Sequence, residues 1–156
     1  MLLSGNKKNF IKYETIEHLS DAKLKAYGKT INELFENAAE GMFSIITNLD
    51  NVKKTVKKEI EVNIKGKVDN EDLLIVWLEK LLYFCEVDSL IFSYFKITDF
   101  KNNSNGNYFS ALAKGEYLNL KKHEILLQIK APTYHGLRIR KDKKTGIYNA
   151  EIIFDV

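Results

Sequence analysis

Apolar positions along this chain recur with two different periods, and the switches between them divide it into elements. Residues 1–9 (MLLSGNKKN) show neither period and read as a flexible arm ahead of one domain spanning 10–156. Residues 10–17 read as a strand, a turn falls at His18-Leu19-Ser20-Asp21, and residues 23–27 alternate polar and apolar as a half-buried strand does. Gly28-Lys29 closes that strand. Thr30 and Glu33 then stand at capping-box spacing, where each side chain can satisfy a backbone N–H left orphaned at a helix start. Ile31, Leu34, Phe35, Ala38, Ala39, Met42, Phe43 and Ile46 follow at the i, i+3, i+4, i+7 spacing of one buried helix face.

Alternation returns over 58–64 and stops at Gly66. Asp69 or Asn70 caps a second helix, with Glu71 and Asp72 placed against the positive end of its dipole. Its apolar stripe is Leu73, Leu74, Trp77, Leu78, Leu81, Leu82 and Cys85, and Trp77 on such a stripe reads as core. The remainder predicts strands over 90–100, 108–116, 125–131, 137–141 and 147–154, with turn chemistry at Asn102 to Asn107 (NNSNGN) and at Asp142 to Gly146. The expected architecture is α+β: a single domain with two helices packed on a mostly antiparallel or mixed sheet.

Composition narrows the classes. Apolar residues make up 45% of the 156, with eight Gly and one Pro, which excludes disordered and collagen-like chains. The lone Cys85 can form no internal disulfide and no Cys-based zinc site, and a reducing compartment suits it. No window approaches the roughly 18 consecutive apolar residues of a membrane span, so the expected location is the cytoplasm. Net charge is +3, from 24 basic and 21 acidic side chains. The lysines cluster at Lys53, Lys54, Lys57 and Lys58, and again, with two arginines, at Arg138, Arg140, Lys141, Lys143 and Lys144. The second group brackets a turn and reads as a solvated hairpin tip, so RNA contact is expected to be indirect or weak. The pattern carries no signal for oligomeric state.

Catalytic signatures are missing: there is no phosphate loop, dinucleotide fingerprint, nucleophile elbow or zinc helix. His18, His123 and His135 are far apart and sit near predicted strand edges. Asp21 falls where a turn meets a strand, and Asp155 is followed by Val156. Carboxylate and carbonyl oxygens suit a hard cation such as Ca²⁺ or Mg²⁺. Sequence alone favours reading these two acids as solvated aspartates at element ends.

Several segments together resemble one family. The run Tyr13-Glu14 through His18-Leu19-Ser20-Asp21-Ala22-Lys23-Leu24-Lys25-Ala26-Tyr27-Gly28 is similar to the opening motif of the archeases, centred on His-Thr-Ala-Asp. Thr30 to Phe43 and Asp72 to Tyr83 resemble its two helices. Gly115-Glu116, Lys122-His123 and Lys130-Ala131-Pro132-Thr133-Tyr134-His135 resemble its later Lys-Ala-x-Thr-Tyr-His region, and Ile153-Phe154-Asp155-Val156 its ending. Leu19-Ser20 stands where the family has Thr-Ala, and Pro132 where it commonly has an aliphatic residue. The resemblance implies a non-catalytic accessory protein of the RtcB-type RNA ligase of tRNA splicing and RNA repair. Such a protein promotes guanylylation of the ligase and its repeated turnover. It further implies a divalent ion, calcium in most descriptions of the family, held by Asp21, Asp155 and the backbone or terminal oxygens of Val156. Lys130 becomes a candidate partner for a phosphate or an acidic residue, with a solvated strand lysine as the plain alternative. His123 and His135 are motif positions without assigned roles. A chaperone-like modulator of RNA-processing or tRNA-modifying enzymes is the alternative function.

Overall fold

The computed structural model describes residues 10–17, 20–103 and 106–156, with the backbone alone at Glu17. The arm expected over 1–9, the centre of the turn at His18-Leu19 and the tip of the 102–107 link lie outside the described residues. Two helices and eight strands follow in the order β1 (Tyr13–Glu17), β2 (Asp21–Gly28), α1 (Ile31–Ile46), β3 (Val56–Ile64), α2 (Asn70–Asp88), β4 (Leu90–Asn103), β5 (Gly106–Tyr117), β6 (Ala131–Thr133), β7 (Ile139–Lys141) and β8 (Tyr148–Asp155), with a short 3-10 turn, Leu49–Asn51, after α1. The α+β class is as expected. The strands, however, divide between two sheets, one ordered β1-β2-β8-β6 with β7 also on β8, the other ordered β3-β5-β4. Every pairing is antiparallel.

Both helices contact both sheets, α1 chiefly β2 and β4, α2 chiefly β6, β4 and β3. The helices are therefore the layer through which the sheets meet. That explains why α1 buries more than the stripe its periodicity predicts: Asn37, Gly41 and Ile45 are buried as well. Asn37 resolves the cost of burying an amide by donating to the Tyr27 carbonyl at 2.7 Å. At Gly41 an added Cβ would lie 2.5 Å from Leu24 Cδ1, so the missing side chain lets α1 lie close on β2. The caps are where the sequence places them. Thr30 Oγ1 accepts from Glu33 N–H at 3.1 Å, and Asp69, rather than Asn70, forms a reciprocal capping box with Asp72. Trp77 is fully buried; its indole N–H donates to the Phe35 carbonyl at 3.1 Å, and its ring meets Phe109 edge-on.

Two departures from the sequence reading have clear causes. Residues 125–130 form no strand; of that predicted segment only Ala131 pairs, in β6. Leu126 N–H donates to Ile46 O and the Glu124 carbonyl accepts from Thr47 Oγ1, so this stretch lies over the end of α1 instead of joining a sheet. In β4 the register slips between Phe92 and Tyr94, leaving Ser93 as a bulge. Phe92 and Phe95 can then both face the core while Tyr94 faces outward, which strict alternation forbids. Gly115 on β5 permits this, because a Cβ there would lie only 1.8 Å from the Ile91 carbonyl oxygen. Gly115→Ala must displace that backbone and is expected to cost about 2 kcal/mol or more. Urea unfolding of the variant would check it, and an unchanged midpoint would show that the bulge tolerates a methyl group.

Candidate functional site

Strand alternation fixes where the acids go. On β2 the core-facing residues are Ala22, Leu24 and Ala26, so Asp21 belongs to the outer face; on β8 Ile152 and Phe154 face inward and Asp155 outward. The β2–β8 register sets Asp21 directly opposite Asp155, and Ala131 of β6 flanks Asp155 on its other side. Two like charges in facing positions of adjacent strands destabilise a sheet. Among the described residues no Lys, Arg or His forms an ion pair with either carboxylate, whereas Glu151, two positions along β8 from Ile153, is paired to Lys23 at 2.9 Å. Among the described residues, therefore, nothing neutralises the pair on the outer face of the sheet.

The other sequence candidates are distributed around it. Lys130 N–H donates to the Asp155 carbonyl at 2.8 Å, which ties the approach to β6 onto the end of β8, while the Lys130 side chain is exposed. Val156 is half-buried and packs against the core. His135 is exposed two residues past β6, its backbone N–H 3.4 Å from Thr133 Oγ1. Its neighbour Tyr134 donates to Asp72 Oδ1 at 3.1 Å, linking this loop to the first turn of α2. Together with Asp69 of the capping box, that bond holds the Asp72 carboxyl below its ordinary range, the Asp69 hydrogen bond being the larger cause.

His123 is elsewhere. It is 1% exposed, its Nδ1 accepts from Asn119 N–H at 3.0 Å, and Nε2 lies 3.1 Å from Asn51 O and 2.8 Å from Glu116 Oε1. The neutral Nε2–H tautomer satisfies all three, and the ring clasps the turn after α1 to the end of β5. Glu116 is the hub of that clasp, accepting also from Lys122 Nζ at 2.5 Å and Lys53 N–H at 2.7 Å. These bonds, Lys122 foremost, lower the Glu116 pKa. Glu116 therefore stabilises the fold above the ordinary glutamate range, and that contribution is lost as pH falls through its depressed value. Glu116→Gln is expected to lower stability by about 2 kcal/mol at neutral pH. The gap between variant and wild type should close on acidification, as followed by urea unfolding; a gap independent of pH would contradict the charge-based account. In the sequence this hub shows only as motif positions, Glu116, Lys122 and His123, close together along the chain.

The arrangement can gather oxygen ligands but offers no activated nucleophile among the described residues. The Cys85 thiol is half-buried and pushed up by desolvation, away from the reactive thiolate. No three His, Cys, Asp or Glu side chains of the described residues converge into a metal cage. No helix among them is long and apolar enough to cross a membrane.

What fold and surface define is a small two-sheet α+β domain with a facing carboxylate pair that no described residue neutralises. Residues 13–156 match the family described as "Archease protein family (MTH1598/TM1083)". Protein archease of Methanosarcina mazei is 36% identical over 145 residues, covering 93% of this chain and 96% of that protein. Its counterpart in Thermococcus kodakarensis is 37% identical over 130 residues, 83% of this chain and 89% of the relative. The solution structure of Methanobacterium thermoautotrophicum protein 1598 superposes with a TM-score of 0.75 at 28% identity, covering 93% of this chain and 99% of that one. The chain belongs to the archease family.

Proposed function

We propose that this protein is a non-catalytic accessory factor that activates an RtcB-type RNA ligase, promoting its guanylylation and repeated turnover, and that Asp21 and Asp155 carry the activity. The observation behind this reading is the facing pair itself, two carboxylates in one cross-strand position without a counter-charge among the described residues. An arrangement that costs stability persists where something else uses it.

The donor set fits a hard divalent cation, Ca²⁺ above all: two carboxylates offer oxygen only, and no thiol or imidazole among the described residues completes a zinc cage. Asp21 and Asp155, with oxygens of Val156, would hold it. When bound, such an ion supplies positive charge of the kind that phosphoryl transfer from a nucleotide requires. The chain's own part is positional. Strands β2 and β8 hold the two carboxylates in fixed register on rigid backbone, so they present themselves to the ligase without ordering cost. Lys130, tied to the end of β8 through its backbone, has an exposed side chain, and its ammonium serves as a point charge toward a phosphate or an acidic residue of the partner.

The deciding experiment combines the protein with its cognate ligase, GTP and a divalent ion, and follows covalent transfer of guanylate to the ligase. Faster transfer and more than one turnover per ligase are the expected result. Ligase kinetics indifferent to this protein, with other RNA-processing enzymes recovered alongside it, would overturn the proposal in favour of a chaperone-like modulator.

A further inference from the structure

The second sheet carries a charge arrangement that the carboxylate pair does not explain. On its outer face Lys57 of β3, Lys114 of β5 and Tyr94 of β4 form one row, each directly opposite the next. Lys57 and Lys114 are thus like charges in facing positions, at a cost in stability. Tyr94 is in the row only because of the bulge at Ser93. Ser93 also donates its hydroxyl to Val52 O at 3.1 Å, holding beside Tyr94 the loop that carries Lys53 and Lys54. Lys114 Nζ lies 4.7 Å and Lys54 Nζ 6.0 Å from the centre of the Tyr94 ring.

Local carboxylates do not neutralise this group. Among the described residues Lys53, Lys54, Lys57 and Lys114 form no ion pair. Glu116, on the same face, is committed to Lys122, His123 and Lys53 N–H. Glu33, Glu36 and Glu40 of α1 line the cleft beside Lys54 and Tyr94, with Glu36 also 3.9 Å from Lys96, and Glu59, Glu61 and Asp99 lie farther along the sheet toward the β4–β5 turn. Positive charge is therefore concentrated on the sheet side of the Tyr94 ring, at one end of one face, and the carboxylates of α1 border the ring on its other side.

We infer that this end of the second sheet binds single-stranded nucleic acid through its phosphodiester backbone. Lysines gathered around an aromatic ring on a flat, open sheet suit a strand whose charges repeat and whose bases present flat faces. An acidic protein surface offers the charge without the flat faces. No arginine belongs to the patch, so there is no bidentate reader of base edges, and binding is independent of sequence and sensitive to salt. The inference stands apart from the action on a ligase, and its test contains neither ligase nor divalent ion.

The probe is a fluorescein-labelled oligouridylate, followed by anisotropy with the full chain in EDTA at several salt concentrations. Lys54→Ala/Lys57→Ala/Lys114→Ala is expected to weaken binding at least about tenfold and to make the log–log salt slope shallower by about two, as loss of three single-strand phosphate contacts predicts. Lys141→Ala/Lys143→Ala/Lys144→Ala removes the same charge from the hairpin and is expected to change affinity less than about threefold. Circular dichroism monitors folding, and Lys57→Ala alone, which relieves the facing charges, supplies a second variant with a several-fold loss. No binding by the wild type, equal losses in the two triple variants, or polyglutamate competing as well as unlabelled oligouridylate would overturn the inference. The last outcome would assign the patch to an acidic protein.

Discussion

Asp21→Ala is expected to abolish stimulation of ligase guanylylation while leaving the protein folded. The side chain lies on the outer face of β2, at the first residue of the strand, where it supports no core contact and no hydrogen bond among the described residues. Removing one of two facing carboxylates relieves repulsion, so thermal stability without divalent ions should hold steady or rise, by about 0.2–1 kcal/mol. Loss of activity with retained stability separates a functional acid from a structural one. A second readout concerns the ion alone. Calcium should raise the melting temperature of the wild type and not that of Asp21→Ala or Asp155→Ala. Full stimulation by Asp21→Ala would remove the pair from the mechanism, and a calcium shift that survives in both variants would remove it as the ion's site.

The largest stability effect is expected at Trp77. Its ring is buried between α1 and the second sheet, against Phe95 and Phe109, and its N–H satisfies the carbonyl of Phe35. Trp77→Ala would open a cavity in the layer that joins the sheets, and such truncations cost about 3–5 kcal/mol. That is a large share of the roughly 5–15 kcal/mol that separates folded from unfolded domains. Trp77→Phe keeps most of the volume and should lose appreciably less. Urea unfolding monitored by circular dichroism would check the order; equal losses for both variants would mean that the indole hydrogen bond, not the volume, dominates the site.

The two helices were legible because their signals are local. Thr30 and Asp69 mark the starts, and four-residue apolar spacing continues from each. The carboxylate pair was legible only through family resemblance. Asp21 and Asp155 are separated by most of the chain, and nothing within either strand states that β2 will pair with β8 in that register. The bulge at Ser93 was hidden because Leu90-Ile91-Phe92 is a continuous apolar run that shows no phase to break. Residues 125–130 carry alternation enough to mimic a strand, yet that stretch lies over the end of α1, a choice made by tertiary packing. His123 stands between charged neighbours, Lys122 and Glu124, a setting typical of a surface, and only the fold turns it inward onto Asn51 and Glu116.

Placing the helices between the sheets has an architectural result. Each sheet gives one side to the interior and keeps the other for solvent, so the surface holding Asp21 and Asp155 and the surface holding Lys57 and Lys114 are turned away from each other. Occupying one leaves the other accessible. The helix layer thus acts as a spacer between a facing pair of carboxylates on one surface and a row of lysines on the other.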